Sequence, residues 1–152
     1  MALPDIWSDT CVADLHRRID ALTPSTQPRW GTMNVAQMLG HCCMPYAQAL
    51  GDDTQKSAWY IRLALKLFFK KTMTNEVPYK QSQPTSPAFI MPEDSKFEPN
   101  RIRLKDYIRR FADQGRNAFE GRQQLSLGKL TALEWNNLMY KHLDHHLRQF
   151  GV

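Results

Sequence analysis

The sequence predicts an all-α protein, most simply a four-helix bundle with one extra helix and a long proline-rich crossover. Three observations lead there. Apolar residues recur every three or four positions along most of the chain, no segment keeps the two-residue rhythm of a strand, and the helical stretches are bracketed by capping and stop residues. The 152 residues suit one domain, taken as 1–152, and 42% hydrophobic with 23% charged residues excludes disordered and collagen-like chains.

Val12, Leu15, Ile19 and Leu22 place the first helix over residues 9–22, with Ser8 or Asp9 able to cap it. Pro24 and Pro28 mark the loop that follows. A second helix starts at Asn34, where Gln37 completes a capping box, and stops at Gly51. Pro45 lies inside it and has no N–H for the carbonyl of His41, so a kink or an early end is expected there. Residues 57–72 form an amphipathic helix. Arg62, Lys66 and Lys70 share one stripe, and Tyr60, Ile61, Ala64, Leu65, Phe68 and Phe69 cover the far side.

Residues 73–99 hold five of the nine prolines and no glycine, which predicts a long loop, either a strap across the bundle or a lid. Helix resumes over 101–120 on Ile102, Tyr107, Ile108, Phe111, Ala112, Ala118 and Phe119, with Gly121 as its end. The last helix opens with a Thr131-x-x-Glu134 capping box, with Leu130 placed to staple onto Trp135, and runs to Phe150 and Gly151.

The net charge is +5, below what a dedicated nucleic-acid binder carries unless the charge is clustered. Two basic groupings, Arg62/Lys66/Lys70/Lys71 and Arg101/Arg103/Lys105/Arg109/Arg110, are read as solvated helix faces, so neither a nucleic-acid nor a membrane partner is expected. The most apolar run, 59–69, is too short to span a bilayer, and the abundance of apolar residues in 57–69 allows a homodimer. The N-terminal residues lack the pattern of a signal peptide, and three cysteines make no disulfide scaffold, so a cytoplasmic location is expected. Cys42 and Cys43 read as small buried hydrophobes.

The chemistry concentrates in histidine. His142 and His146 lie one helical turn apart, and relative to Trp135 they fall at about −20° and +20°, on the apolar face. Two inward imidazoles are costly unless their nitrogens find partners, and a metal ion supplies both at once. His41 is the natural third ligand, although its position on the flank of its helix does not force it inward. His16 is the competitor, and His145, near −80°, is read as solvated or supporting. An HExxH peptidase motif is excluded because Leu143 follows His142, and Asp144 points about 180° away. No general base is visible beside the histidines.

The stretch Arg29-Trp30-Gly31-Thr32-Met33-Asn34-Val35-Ala36-Gln37-Met38-Leu39-Gly40-His41-Cys42 resembles the second-helix motif of the DinB-like superfamily. Leu127-Gly128-Lys129-Leu130-Thr131, Glu134-Trp135 and Tyr140-Lys141-His142-Leu143-Asp144-His145-His146-Leu147-Arg148-Gln149-Phe150-Gly151-Val152 resemble the final helix of one bacterial branch of short chains. The resemblance implies a helical bundle with a divalent metal, Zn²⁺ or Ni²⁺, held by His41, His142 and His146. It also implies a metalloenzyme with a small-molecule substrate. Relatives include S-transferases and isomerases that use mycothiol, bacillithiol or glutathione, which makes a low-molecular-weight thiol the expected partner. One departure is Gln124-Leu125-Ser126-Leu127-Gly128, where the branch usually reads close to His-Pro-Phe-Phe-Gly. The competing functions are non-enzymatic binding to an anionic surface and a structural bundle that has lost its site.

Overall fold

The computed structural model describes residues 2–82 and 90–152. Its elements, in order, are α1 (Asp9–Asp20), α2 (Val35–Leu50), α3 (Trp59–Ala64), a π-helical turn (Leu65–Phe69), α4 (Lys70–Thr74), α5 (Phe97–Asp113), a 3₁₀ turn (Arg116–Phe119), a two-strand hairpin of β1 (Gln123–Gln124) and β2 (Gly128–Lys129), and α6 (Ala132–Gln149). The protein is all-α. One core unites α1, α2, α5 and α6, with Leu15, Ile19, Met38, Leu39, Tyr46, Leu104, Ile108, Phe111, Trp135 and Leu143 all buried in it.

The helix starts follow their caps. Ser8 Oγ accepts the Cys11 N–H at 3.2 Å, which settles the choice between Ser8 and Asp9. The Asn34–Gln37 and Thr131–Glu134 boxes are both closed reciprocally. α2 does not end at Pro45 but runs on to Leu50, where Gly51 caps it at φ +83°.

α5 differs at both ends from the expected 101–120. It starts at Phe97 because Pro99 lies in the first helical turn, where a missing N–H costs nothing. It stops at Asp113 because Gly115 turns the chain at φ +76°, and Ala118 and Phe119 belong to the 3₁₀ turn instead. The hairpin, pairing Gln123 with Lys129 and Gln124 with Gly128, is too short to produce an alternating pattern. The expected loop over 73–99 contains the end of α4 and the start of α5, and its residues 83–89, with Pro84 and Pro87, lie outside the described residues.

The amphipathic segment runs from Trp59 to Thr74 rather than over 57–72, and its basic stripe faces the protein. Arg62 Nε donates to Leu125 O at 2.9 Å, Lys70 Nζ donates to Lys129 O at 3.0 Å, and the Lys66 stem lies over Gly128. Leu65 and Met73 pack on the core, but Tyr60, Leu63, Leu67, Phe68 and Phe69 are exposed.

The basic run of α5 is consumed by acids. Arg101 and Lys105 pair with Asp20, Arg109 with Asp9 and Asp113, and Arg110 with Asp52, tying α5 to α1 and to the end of α2. Arg103 donates to Asn100. Among the described residues no helix is long and apolar enough to cross a membrane.

Candidate metal centre

α2 carries His41 two turns beyond its cap. Gln37, having closed the capping box, also donates from Nε2 to Met91 O at 3.0 Å, fixing residues near 91 beside the start of α2. Gly40 lets α5 approach. A Cβ there would fall 2.9 Å from Asn100 Nδ2 and 2.7 Å from Met91 Cε, and Asn100 uses that nitrogen to bind Ala36 O. The glycine costs about 1 kcal/mol of helix propensity and secures a close packing of α2 on α5 next to His41.

α6 is held by buried polar side chains on the flank away from its apolar face. Asn136 Oδ1 accepts from Ile6 N at 2.8 Å, and Asn137 Nδ2 donates to Thr74 O at 2.9 Å. Lys141 Nζ donates to Thr72 O, Asn75 O and Asn75 Oδ1 at 2.7, 2.8 and 2.9 Å and stands 4.6 Å over the Tyr79 ring. Burial pulls this amine down to about 8, and its three acceptors anchor the segment after α4 against α6.

Between these supports the three predicted histidines converge. Ring centroids of His41, His142 and His146 stand 4.9, 4.7 and 4.8 Å apart, a nearly equilateral triangle with the rings inclined at 42°, 76° and 71°. Their candidate ligand nitrogens lie within 4.8 Å of one another, and His41 Nε2 and His142 Nε2 are 3.0 Å apart. Two nitrogens bound tetrahedrally at about 2.1 Å stand about 3.4 Å apart, so the spacing is within a small adjustment of a coordination sphere.

The charge state fits as well. Burial first, and then the neighbouring histidines, hold His142 well below the usual imidazole range. Burial and His41 bring His146 down to about 3. His142 and His146 are therefore neutral at pH 7 with lone pairs available, and His142 Nδ1 is buried with no hydrogen-bond partner. Among the described residues no carboxylate joins the cluster, because Asp144 is turned away to Arg18 and Arg148, each at 2.9 Å. Neutral imidazoles alone suit Zn²⁺, Ni²⁺ and their neighbours rather than Mg²⁺ or Ca²⁺.

A supporting contact fixes which nitrogen of His146 is free. Gln149 Nε2 donates to Trp30 O at 2.7 Å. A carbonyl only accepts, so the amide oxygen of Gln149 faces the other way, 2.9 Å from His146 Nδ1. Nδ1 then carries the proton and Nε2 keeps the lone pair, the arrangement that second-shell partners impose on ligating histidines. Gly31 makes room for this amide. At φ +81° it adopts a left-handed conformation, and a Cβ would sit 2.5 Å from Gln149 Nε2. Gln149 was not singled out in the sequence. Its signal was a Gln three residues after His146, readable only once Trp30 was known to lie beside it.

His16 is elsewhere, with Nε2 3.1 Å from Lys105 O, and is no part of the cluster. His145 lies beside the triangle rather than in it, half-buried and in a supporting place. Its ring meets Trp30 and Tyr79 edge-on at 5.8 Å and His146 at 5.2 Å, and burial holds its pKa below the usual value. It lines a cleft of about 1010 Å³ with Trp30, Thr32, Gln37, Met91 and His146, which gives a small molecule access to one corner of the triangle.

The helices and the cluster together define an all-α protein with a candidate three-histidine metal centre between its second helix and its last. A family model described as a protein of unknown function (DUF1569) matches residues 10–151, and the chain belongs to that family. No curated protein and no solved structure gives a significant match.

Proposed function

We propose that the protein is a metal-dependent enzyme of DinB-like type, with Zn²⁺ or Ni²⁺ held by His41, His142 and His146, and that it catalyses thiol transfer, with hydrolysis as the second choice. The observation that carries this reading is the triangle of imidazoles, with His41 and His146 buried and His142 partly buried, and no carboxylate in it among the described residues. Three protein ligands leave a coordination position for an exogenous group. A metal there lowers the pKa of a bound thiol or water, and the thiolate is the reactive nucleophile.

The chain's own thiols do not supply that nucleophile. Cys11, Cys42 and Cys43 are all buried, and burial raises Cys11 and Cys43 to about 11 and Cys42 well above the usual thiol value. A thiol reaction at this centre therefore needs a thiol brought in as substrate, and the cleft beside His146 is the way in. Gln149 holds His146 in the ligating tautomer, and Gln37 and Asn100 hold the α2 backbone that carries His41. The anionic-surface alternative loses support because Arg62 and Lys70 donate to the hairpin and Arg101, Lys105, Arg109 and Arg110 of α5 are paired with acids.

The test is metal content of protein purified without an affinity tag, followed by Co²⁺ substitution and addition of a low-molecular-weight thiol. About one equivalent of Zn or Ni and a thiolate-to-cobalt charge-transfer band support the proposal. Less than a tenth of an equivalent of Zn, Ni, Mn and Fe combined, with no uptake on adding metal, overturns it. Metal binding without the band removes thiol transfer and leaves hydrolysis.

A further inference from the structure

The segment from Trp59 to Phe69 is built the wrong way round for a monomer. Apart from Arg62 and Lys66 every residue in it is apolar, and none is buried. Trp59 is 73% exposed, Tyr60 61%, Leu67 65%, Phe68 74% and Phe69 52%, with Ile61 and Leu63 also on the surface. An ordinary surface helix turns its apolar stripe to the core and its cations to water. Here Arg62 and Lys70 are drawn inward by carbonyls of the hairpin region, and the apolar side is left to solvent.

Taking a buried aromatic side chain as about 150–250 Å² and scaling by exposure, these seven residues present roughly 600–700 Å² of apolar surface per chain. The largest patch on a typical monomer is about 300–600 Å², and each side of a stable interface buries about 800 Å². The patch is therefore large enough to form the centre of a specific interface. The π turn at Leu65–Phe69 adds a residue to the helical repeat, which spreads Leu67, Phe68 and Phe69 across a broader front than an α-helix would.

We infer that this face, centred on Tyr60, Leu63, Leu67 and Phe68, is a homodimer interface in which two copies pack the same apolar surface across a two-fold axis. Charge decides between a second copy and a lipid surface. A helix lying on a membrane uses its flanking cations to reach phosphates. Arg62 and Lys70 are instead bound to the protein's own backbone, the Lys66 stem lies over Gly128, and no acid interrupts Trp59–Phe69. A surface of aromatic and aliphatic side chains with its cations turned to the hairpin can pack on a second copy of itself, as an isologous contact requires.

The experiment is sedimentation velocity of the intact protein across a hundredfold range of concentration, with Leu67→Glu/Phe68→Glu as the disrupting variant. Both side chains are exposed, so the variant keeps its fold, and an unchanged helical circular-dichroism spectrum checks this. A dimer for the parent and at least a hundredfold weaker association for the variant are expected. A parent that stays monomeric, or a dimer indifferent to the variant, overturns the inference. So does a monomer that co-sediments with neutral or anionic phosphatidylcholine-based vesicles, which would assign the face to lipid.

Discussion

Replacing Gly31 by Ala tests the link between the loop before α2 and the metal centre, 115 residues further on at His146. Two costs are expected. The first is conformational, since Gly31 sits at φ +81° and a side chain in that region costs about 1–2 kcal/mol. The second is steric, because the new Cβ would fall 2.5 Å from Gln149 Nε2. A free glutamine would swing aside, but this one is buried and bonded at both ends, to Trp30 O at 2.7 Å and His146 Nδ1 at 2.9 Å. Displacing it forfeits two hydrogen bonds of about 0.5–1.5 kcal/mol each, for a total of about 2–5 kcal/mol with the conformational cost. Gly51→Ala is the control. Its φ is +83°, but nothing lies within 4 Å of the new Cβ, so only the conformational cost of about 1–2 kcal/mol applies. Urea unfolding of the metal-free proteins measures the difference. Competition titration should also show zinc affinity about 10–100-fold weaker for Gly31→Ala and unchanged for Gly51→Ala. Equal destabilisation of the two variants, with equal zinc affinity, would refute the role assigned to Gln149.

Further predictions concern acid, a buried ion pair and the thiols. His146 titrates at about 3 in the folded protein against 6.5 as a free imidazole, and His142 is shifted the same way. The unfolded chain binds these protons first as pH falls, so metal-free protein holds full stability above about 6.5 and loses about 1.4 kcal/mol per pH unit per histidine below it, down towards pH 3. Unfolding midpoints constant between about pH 7 and pH 5 would contradict this. Arg18 holds Asp144 at 2.9 Å and Val152 O at 3.0 Å with only 10% of its side chain exposed, so Arg18→Ala should cost about 3 kcal/mol by thermal unfolding. Arg148→Ala, which removes the 64% exposed partner of the same carboxylate, should cost less than about 1 kcal/mol. None of the three cysteines should react with Ellman's reagent in the native protein within minutes, and all three should on unfolding. Rapid native labelling of Cys42 would show that α2 opens at the centre.

Much of this was legible in the chain, for reasons that lie in particular residues. The caps at Asn34 and Thr131 and the wheel positions of His142 and His146 follow from local geometry, and the structure keeps them. His41 was the natural third ligand, but only its resemblance to a known motif fixed that choice, because nothing in its own helix turns it inward. What brings it to the triangle is contact with distant residues, through Gly40 against Asn100 and Gln37 against Met91. Pro99 hid the start of α5 because a proline reads as loop until its place in the first turn is known. The apolar residues of Trp59–Phe69 were visible, but which way their face turns was not, for a related reason. Periodicity shows that a helix has two faces, and which one is buried depends on carbonyls at Leu125 and Lys129 that are unpaired only in the fold.

The central claim is that His41, His142 and His146 share one cation. Anomalous diffraction at the zinc or nickel absorption edge, on crystals of untagged protein, measures it directly. The account predicts a single strong peak about 2.1 Å from one nitrogen of each of the three rings, and its loss in His142→Ala crystals of the same fold. Ordered side chains at all three positions with no anomalous signal between them, in crystals soaked with either metal, would contradict it.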